Sequence, residues 1–312
     1  MPMPLPRRAP RFRRRLAAAL LGLLGCLLAA SATAEADADT EPRTLRNIVL
    51  APTLFESTPD EIRSQLGPAR FIEELTGHPV VVENHARYED IISGFVAGRI
   101  DLAILGPLPY VSLRQLHAGA EPLVRFREPD GREHYTCTLV AFADEVRPLP
   151  RYVGARLALT QPFSTCGYFA AATLLGRAGV DIERLDYRFV GRHDQIAIEV
   201  ITGGADLGVL KDEVAARFAS VGLVELAATR PLPGFTLIAN AATLDAATRQ
   251  RLREGFLALQ EADIARFVEW PRTLRRGAVP AAHEDYDAIA RQFMRIEAPL
   301  QQAILREKEQ AR

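Results

Sequence analysis

The chain alternates short apolar segments with helical patterns in two successive series, and this order constrains its fold more than any other feature. Apolar residues at helical spacing lie between the segments. The apolar segments are residues 47–51, 80–82 and 101–105 in the first series and residues 157–159, 187–190 and 206–210 in the second. Strands that alternate with helices form parallel sheets with crossover helices. The sequence therefore predicts an α/β protein with two such units.

Helix signals support the same interpretation. Thr58 and Pro59 predict a helix start, and Gly77 predicts its end after about Thr76. Further helices are predicted at residues 88–97, 165–178, 194–202 and 212–220. A longer extended stretch, residues 135–142, and the proline-containing linker 147–150 separate the two series. A late strand, residues 235–239, is followed by helices with a break at Pro271 and Gly277.

This order predicts two lobes with strands crossing between them. We expect residues 45–140 to form lobe 1, with residues 235–312 returning to it, and residues 141–234 to form lobe 2. In open α/β sheets, ligands bind beyond the carboxyl ends of the strands. Those ends include Pro52, Gly106, Gln161 and Lys211. We therefore expect the binding site in a cleft between the lobes.

The first 34 residues have the pattern of a secretory signal peptide. A basic segment, residues 7–15, precedes apolar residues 16–30 and the small-residue cleavage site 32–34. Cys26 follows a Leu-Leu-Gly sequence, so lipid attachment at Cys26 is the alternative to cleavage after Ala34. The segment holds six arginines and no acid, so its removal from a chain of 38 basic and 39 acidic residues leaves a charge of −7. An exported acidic protein is a poor partner for nucleic acid or anionic membranes.

The run Ser164-Thr165 before an alanine-rich apolar stretch predicts a helix N-terminus. Such an end presents free N–H groups and the positive end of the helix dipole, so it can bind an anion. The alternative is an ordinary capped helix without a ligand.

The order of several motifs resembles the phosphate/phosphite/phosphonate-binding proteins of bacterial ABC importers. The motifs are Pro52, Tyr88, the segments 98–103 and 106–110, Tyr135-Thr136, the segment 164–168, His193-Asp194, the segment 204–206 and Lys211-Asp212-Glu213. The resemblance implies a two-lobed periplasmic binding protein of type II (a Venus-flytrap fold), working with an inner-membrane permease and without catalysis, cofactor or metal. It also implies that the oxyanion ligand contacts Ser164, Thr165, Thr136, His193 and Tyr88, with Cys166 in place of the family's usual serine. Glu213 would face a ligand amine.

Cys166 leaves two alternative functions open. A thiol at a helix start near His193 could be the nucleophile of a thiol hydrolase. The protein could instead be a sensor that presents an oxyanion, or arsenite bound by the thiol, to a histidine kinase. If Thr136 faces the cleft, strand alternation turns Cys137 toward the core as an inert thiol. Export would permit a disulfide, but the sequence does not show that the two cysteines meet. No Cys-x-x-Cys or His-x-x-x-His spacing predicts a metal site.

Overall fold

The computed structural model describes residues 46–53, 58–265 and 270–310. The predicted signal peptide, residues 1–34, and the alternative lipid-attachment site at Cys26 lie outside these ranges. The helices are α1 (Pro59–Ser64), α2 (Leu66–Thr76), α3 (Tyr88–Val96), α4 (Pro107–Leu116), α5 (Ala170–Arg177), α6 (His193–Ile201), α7 (Asp212–Phe218), α8 (Ala246–Ala258), α9 (Glu261–Ile264) and α10 (Asp287–Gln310). The strands are β1 (Ile48–Pro52), β2 (Val80–Val82), β3 (Leu102–Leu105), β4 (Ala120–Phe126), β5 (His134–Tyr135), β6 (Cys137–Phe142), β7 (Arg156–Leu159), β8 (Asp186–Phe189), β9 (Leu207–Lys211), β10 (Leu223–Ala228), β11 (Leu232–Pro233), β12 (Thr236–Asn240) and β13 (Ala278–Pro280).

The first sheet has the strand order β13-β4-β12-β3-β1-β2. Strand β1 pairs in parallel with β2 and β3, as expected for strands connected by helices. Strand β12 runs antiparallel between β3 and β4, and β13 runs antiparallel to β4 on the outer edge. The late strands therefore complete a sheet that the beginning of the chain starts.

The second sheet has the order β10-β6-β9-β7-β8. Strand β7 is parallel to β8 and β9, and β6 is antiparallel to β9 with Cys137 opposite Lys211. A separate two-stranded pair joins β5 to β11, with Tyr135 opposite Leu232. Strand β5 leads into β6 of the second sheet, and β11 leads into β12 of the first sheet. The pair therefore contains both passages of the chain between the sheets, and it is called the hinge pair below.

Helices bury the faces of both sheets. On the first sheet, α2 and α8 meet through Phe71 and Phe256, whose rings are perpendicular with centroids 5.0 Å apart. On the second, α6 contributes the fully buried Ile196 to a cluster with Val140 of β6. A third cluster contains side chains from both sheets, including Leu105 and Leu139. The two α/β units are thus in contact through apolar side chains. None of the described helices is long and apolar enough to span a membrane.

The structure differs from the predicted elements in the following respects. Helix α4 and strands β4, β10, β11 and β13 were not predicted. The predicted helix 58–76 is divided at Gln65 into α1 and α2, although Thr58 caps it as predicted by accepting a hydrogen bond from Glu61 N at 3.2 Å. The predicted helix 165–178 becomes regular only at Ala170.

Candidate functional site

The carboxyl ends of the central parallel strands bring the two sheets together. Helix α4 follows β3 directly, and the segment that follows β7 contains Ser164 and Thr165. The Leu108 N–H donates a 3.0 Å hydrogen bond to Thr165 Oγ1, which joins these two segments. The first and second sheets therefore approach each other where β3 and β7 end.

The start of α4 provides a backbone donor at this point. Pro107 and Pro109 have no N–H, and the Tyr110 N–H donates within the helix to Gly106 O at 3.2 Å. Leu108 therefore holds the first-turn amide that has no partner within the helix, and this amide donates to Thr165 where the helix dipole is positive. The Gly-Pro start was visible in the sequence, and N-terminal proline is a recognised helix signal.

Tyrosine side chains surround Thr165. The Tyr135 hydroxyl of the hinge pair hydrogen-bonds to Thr165, and burial raises the Tyr135 pKa well above its ordinary value. Tyr88, at the start of α3, is buried and hydrogen-bonds to Thr53, and burial likewise raises its pKa. Both phenols therefore stay protonated and can donate hydrogen bonds.

Residues 164–169, called the 164–169 turn below, do not form the predicted helix N-terminus. Cys166 (φ −89°, ψ 27°) and Gly167 (φ −103°, ψ −131°) are non-helical, and Ser164 makes no capping hydrogen bond. A Cβ atom on Gly167 would lie 2.5 Å from Gln161 O, so only glycine fits there. The turn closes through a 3.0 Å hydrogen bond from Gly167 N to Ser164 O. The prediction of a regular helix start behind Ser164 and Thr165 was therefore wrong, while anion binding by this segment stays a prediction. The backbone amide that contacts Thr165 comes from α4.

Cys137 and Cys166 form a disulfide. The expectation that Cys137 is an inert core thiol was therefore wrong, and so was the expectation that Cys166 offers a thiol to the ligand. Strand alternation correctly predicted that Cys137 faces the core. The 164–169 turn brings the Cys166 sulfur to the same place. A sulfur in a disulfide is neither a hydrogen-bond donor nor a nucleophile.

His193 and Lys211 lie together beside the hinge pair. The His193 Nδ1 atom accepts a hydrogen bond from the Lys211 backbone N–H at 3.3 Å, which leaves the proton on Nε2 when the ring is neutral. Burial, aided by the Lys211 charge, lowers the His193 pKa to about 3. His193 is thus a neutral imidazole that can donate from Nε2.

Lys211 is the buried cation of this region. Its ammonium forms an ion pair with Glu128, and the two side chains are 4% and 5% exposed. Burial raises the Glu128 pKa, while Lys211 lowers it. Because both side chains are almost fully buried, water screens the attraction between the two charges little. We therefore regard this pair as ionised and held by mutual attraction.

The other two predicted site residues lie at the edges of this group. Thr136 is half-buried, and its carbonyl accepts a 3.0 Å hydrogen bond from Asp212 N. Glu213 is also half-buried and forms a 3.1 Å ion pair with the exposed Arg272. Glu213 lines a cavity of about 550 Å³ with Arg132 and Arg217.

Sequence analysis did not identify Glu128, and it named Tyr135 and Leu108 only as parts of motifs, without a role at the site. Two further hydroxyls, Thr138 Oγ1 and Thr160 Oγ1, are buried and have no hydrogen-bond partner within the described parts of the chain. Thr160 lies under the 164–169 turn, 3.0 Å from the position of a Cβ on Gly167. Buried hydroxyls with unused capacity are unusual in proteins and are typical of sites that bind a polar ligand. Across residues 46–53, 58–265 and 270–310, no cluster of three or more His, Cys, Asp or Glu side chains could hold a metal.

Known proteins with similar sequences belong to one class. Residues 54–286 match the model of a family described as the phosphonate-specific periplasmic substrate-binding protein of ABC transporters. The phosphate-import protein PhnD of Mycolicibacterium smegmatis is 28% identical over 176 residues, which is 53% of this chain and 55% of that protein. The chain thus spans about half the length of that relative in the match.

Solved structures show the same fold. PhnD1 of Prochlorococcus marinus, solved with methylphosphonate, superimposes with a TM-score of 0.71 at 16% identity, covering 80% of this chain and 98% of that one. A binding-protein component of a Pseudomonas aeruginosa ABC phosphonate transporter gives 0.62 at 16% identity, covering 85% and 99%. The fold is therefore the two-lobed type II periplasmic binding fold.

Proposed function

Because the chain belongs to the family of periplasmic phosphonate-binding proteins of ABC transporters, we propose that it captures a phosphonate, phosphite or phosphate between its lobes and delivers it to a membrane permease. The family is one of substrate binding in the periplasm, and it contributes to transport without a catalytic step. The expected location in the periplasm and the permease partner follow from this proposal.

One observation supports the proposal most directly: polar groups from the first sheet and from the hinge pair meet at Thr165. The Leu108 amide reaches Thr165 Oγ1 from the first sheet, and the Tyr135 phenol reaches it from the hinge pair. Neutral donors of this kind match the oxygens of a tetrahedral anion, since each can donate to an oxygen without bringing a competing negative charge. Ser164, Thr136, Tyr88 and His193 remain proposed ligand contacts on the same basis. Glu213, which the resemblance assigns to a ligand amine, has no such group to contact in methylphosphonate, phosphite or phosphate.

The disulfide weakens both alternatives that used Cys166. A thiol hydrolase needs a free thiolate as its nucleophile, and an arsenite sensor needs a thiol to bond arsenic. Neither is present while Cys166 is bonded to Cys137. Oxyanion capture needs no thiol, so the geometry favours it.

The first prediction is that replacing both hydroxyl residues, Ser164→Ala with Thr165→Ala, weakens oxyanion binding about a hundredfold or more. Hydrogen bonds to a charged ligand are worth about 1.5–3 kcal/mol each, and about 1.4 kcal/mol corresponds to a factor of ten. Calorimetric titration of the folded protein with methylphosphonate, phosphite and phosphate measures the change.

Thr202→Ala is the matched control for this experiment. Thr202 is exposed at the end of α6 and hydrogen-bonds only to Ile198 O, at 2.8 Å. The control should bind like the unaltered protein. Unchanged affinity in the Ser164/Thr165 double variant would exclude this site.

A further inference from the structure

The Lys211 ammonium lies inside a set of groups that would suit a ligand cation. It pairs with the Glu128 carboxylate. It also lies 5.0 Å from the centroid of the Tyr135 ring and 5.6 Å from that of Phe235. A carboxylate and two aromatic faces around a cation form the arrangement by which proteins recognise ammonium groups. These three residues, Glu128, Tyr135 and Phe235, are called the Lys211 cage below.

The Lys211 cage adjoins the proposed oxyanion contacts. Tyr135 belongs to both, since its ring faces Lys211 and its hydroxyl bonds to Thr165. Lys211 also donates its backbone N–H to His193. Gly106, at the start of α4, is close to both as well, because a Cβ there would lie 3.4 Å from Thr165 Oγ1 and 3.5 Å from the Phe235 ring. An ammonium a few bonds away from a bound oxyanion would therefore reach the Lys211 cage.

We infer that Lys211 is a specificity-determining residue that fills this cation subsite with the protein's own ammonium, so that the ligand is a compact oxyanion without a cationic tail. The inference rests on the proposed function and refines its ligand class. Methylphosphonate, phosphite and phosphate fit this class, and aminoalkylphosphonates do not.

The exclusion has two physical causes. A ligand ammonium would approach a buried like charge, and at low exposure that repulsion is poorly screened. It would also lack a counter-ion, because the Glu128 carboxylate is already engaged by Lys211. An anionic group without a tail meets neither obstacle and is attracted by the Lys211 charge.

Chemical rescue tests the Lys211 cage without any oxyanion. Lys211→Ala removes the equivalent of propylammonium and leaves the Glu128 charge buried, so the variant should be less stable than the unaltered protein. Added propylammonium chloride should raise the melting temperature of Lys211→Ala by about 2–4 °C relative to equal sodium chloride or propanol. The double variant Lys211→Ala with Glu128→Gln should show no such rise. A rise of equal size in both variants, or in neither, would overturn the cation subsite.

Ligand selectivity tests the consequence for function. The unaltered protein should bind methylphosphonate at least about tenfold more tightly than 2-aminoethylphosphonate, and Lys211→Ala should bring the two affinities within about threefold or reverse their order. Lys211→Met fills the same space without charge, so the cage stays occupied. This control variant should not gain aminoethylphosphonate binding. Equal selectivity in Lys211→Ala and the unaltered protein would overturn the specificity role. If the unaltered protein binds none of the oxyanions, the proposed function fails, and the rescue experiment still decides whether the cage takes an ammonium.

Discussion

The buried environment of His193 predicts a pH dependence of stability. Its folded pKa is lowered to about 3 by burial and by Lys211, whereas an unfolded histidine has a pKa of about 6.5. Between these values the unfolded chain binds a proton that the folded protein does not bind. The contribution of His193 to the free energy of unfolding is therefore fully present above about pH 6.5. This contribution is lost as the pH falls toward about 3.

The second prediction follows for His193→Gln. This variant should lose less stability than the unaltered protein between about pH 7 and about pH 4.5, because glutamine takes up no proton on unfolding. Urea denaturation at several pH values measures both profiles. Glu128, whose raised pKa acts in the opposite direction, is present in both proteins, so the comparison isolates His193. If the free energy of unfolding changed equally with pH in both proteins, the assignment of a neutral buried imidazole would be contradicted.

At this scale the sequence identified residues with a local signal and missed those without one. Thr165 was proposed because it lies at a predicted strand-to-helix connection, where α/β proteins place ligands. His193 was proposed because the resemblance to the binding-protein family implies a ligand contact there. Glu128 lies just before a turn, between Arg127 and Pro129, and has no pattern that predicts burial. Its role depends on Lys211, which is 83 residues away in the chain. Contacts at that separation are set by tertiary packing, and no local pattern reveals them.

At the scale of elements, the disulfide determines the conformation of the 164–169 turn. It links the first residue of β6 to the middle of the turn and closes a chain segment with a sequence separation of 29. In the chain-entropy account, cross-linking a loop of this length stabilises the folded state by about 3–4 kcal/mol. The same link fixes Cys166 next to Thr165, so it bears on the proposed binding site.

The third prediction is that reduction, or Cys137→Ser with Cys166→Ser, lowers the free energy of unfolding by about 2–4 kcal/mol. The double variant should also bind methylphosphonate more weakly, because the turn that holds Thr165 is less restricted. Thiol titration under denaturing, non-reducing conditions provides the control, since neither Cys137 nor Cys166 should react. Free thiols at these two positions, or unchanged stability after reduction, would contradict the bond.

Element predictions succeeded where the pattern was regular and failed where tertiary contacts decided the backbone. The parallel strands β1, β3 and β7 follow from continuous apolar segments. The Ser164-Thr165 pattern predicted a helix start, but the disulfide and the Gly167 contact with Gln161 O hold the chain out of helical geometry until Ala170. Strand β13 is three residues long and includes Pro280, which removes a donor and hides the strand from pattern analysis.

At the scale of the whole molecule, the two alternating series predicted two sheets and two passages between them. The passages are short, since β5 and β11 have two residues each. The sequence did not predict them as separate strands. The lobe boundaries at about residues 140 and 235 remain a prediction. Pairing of β6 with β9 assigns Cys137–Phe142 to the second sheet, so we propose that lobe 2 begins with β6.

An ion pair at the edge of the proposed site connects the two units. Arg272 begins the short turn that buries Leu274 in the core of the first sheet, and Glu213 precedes Val214, which packs on the second sheet. The distance between Arg272 Nη2 and Glu213 Oε1 is 3.1 Å. If the ligand binds between the lobes, this pair stabilises the arrangement in which the lobes enclose it.

The last prediction is that Arg272→Gln and Glu213→Gln each weaken methylphosphonate binding, by up to about fivefold at low salt. An exposed ion pair is worth at most about 1 kcal/mol, and screening should reduce the effect in about 0.5 M sodium chloride. A loss of affinity in both variants is what identifies a contact between the lobes. If the two charges acted only through their field on an anionic ligand, removing the acid would strengthen binding while removing the base weakened it. Arg156→Gln is the matched control, because the Arg156–Asp206 pair lies within the second sheet's unit. Calorimetry at both salt concentrations measures all three variants, and opposite effects of the Arg272 and Glu213 changes would exclude the contact as a support for closure.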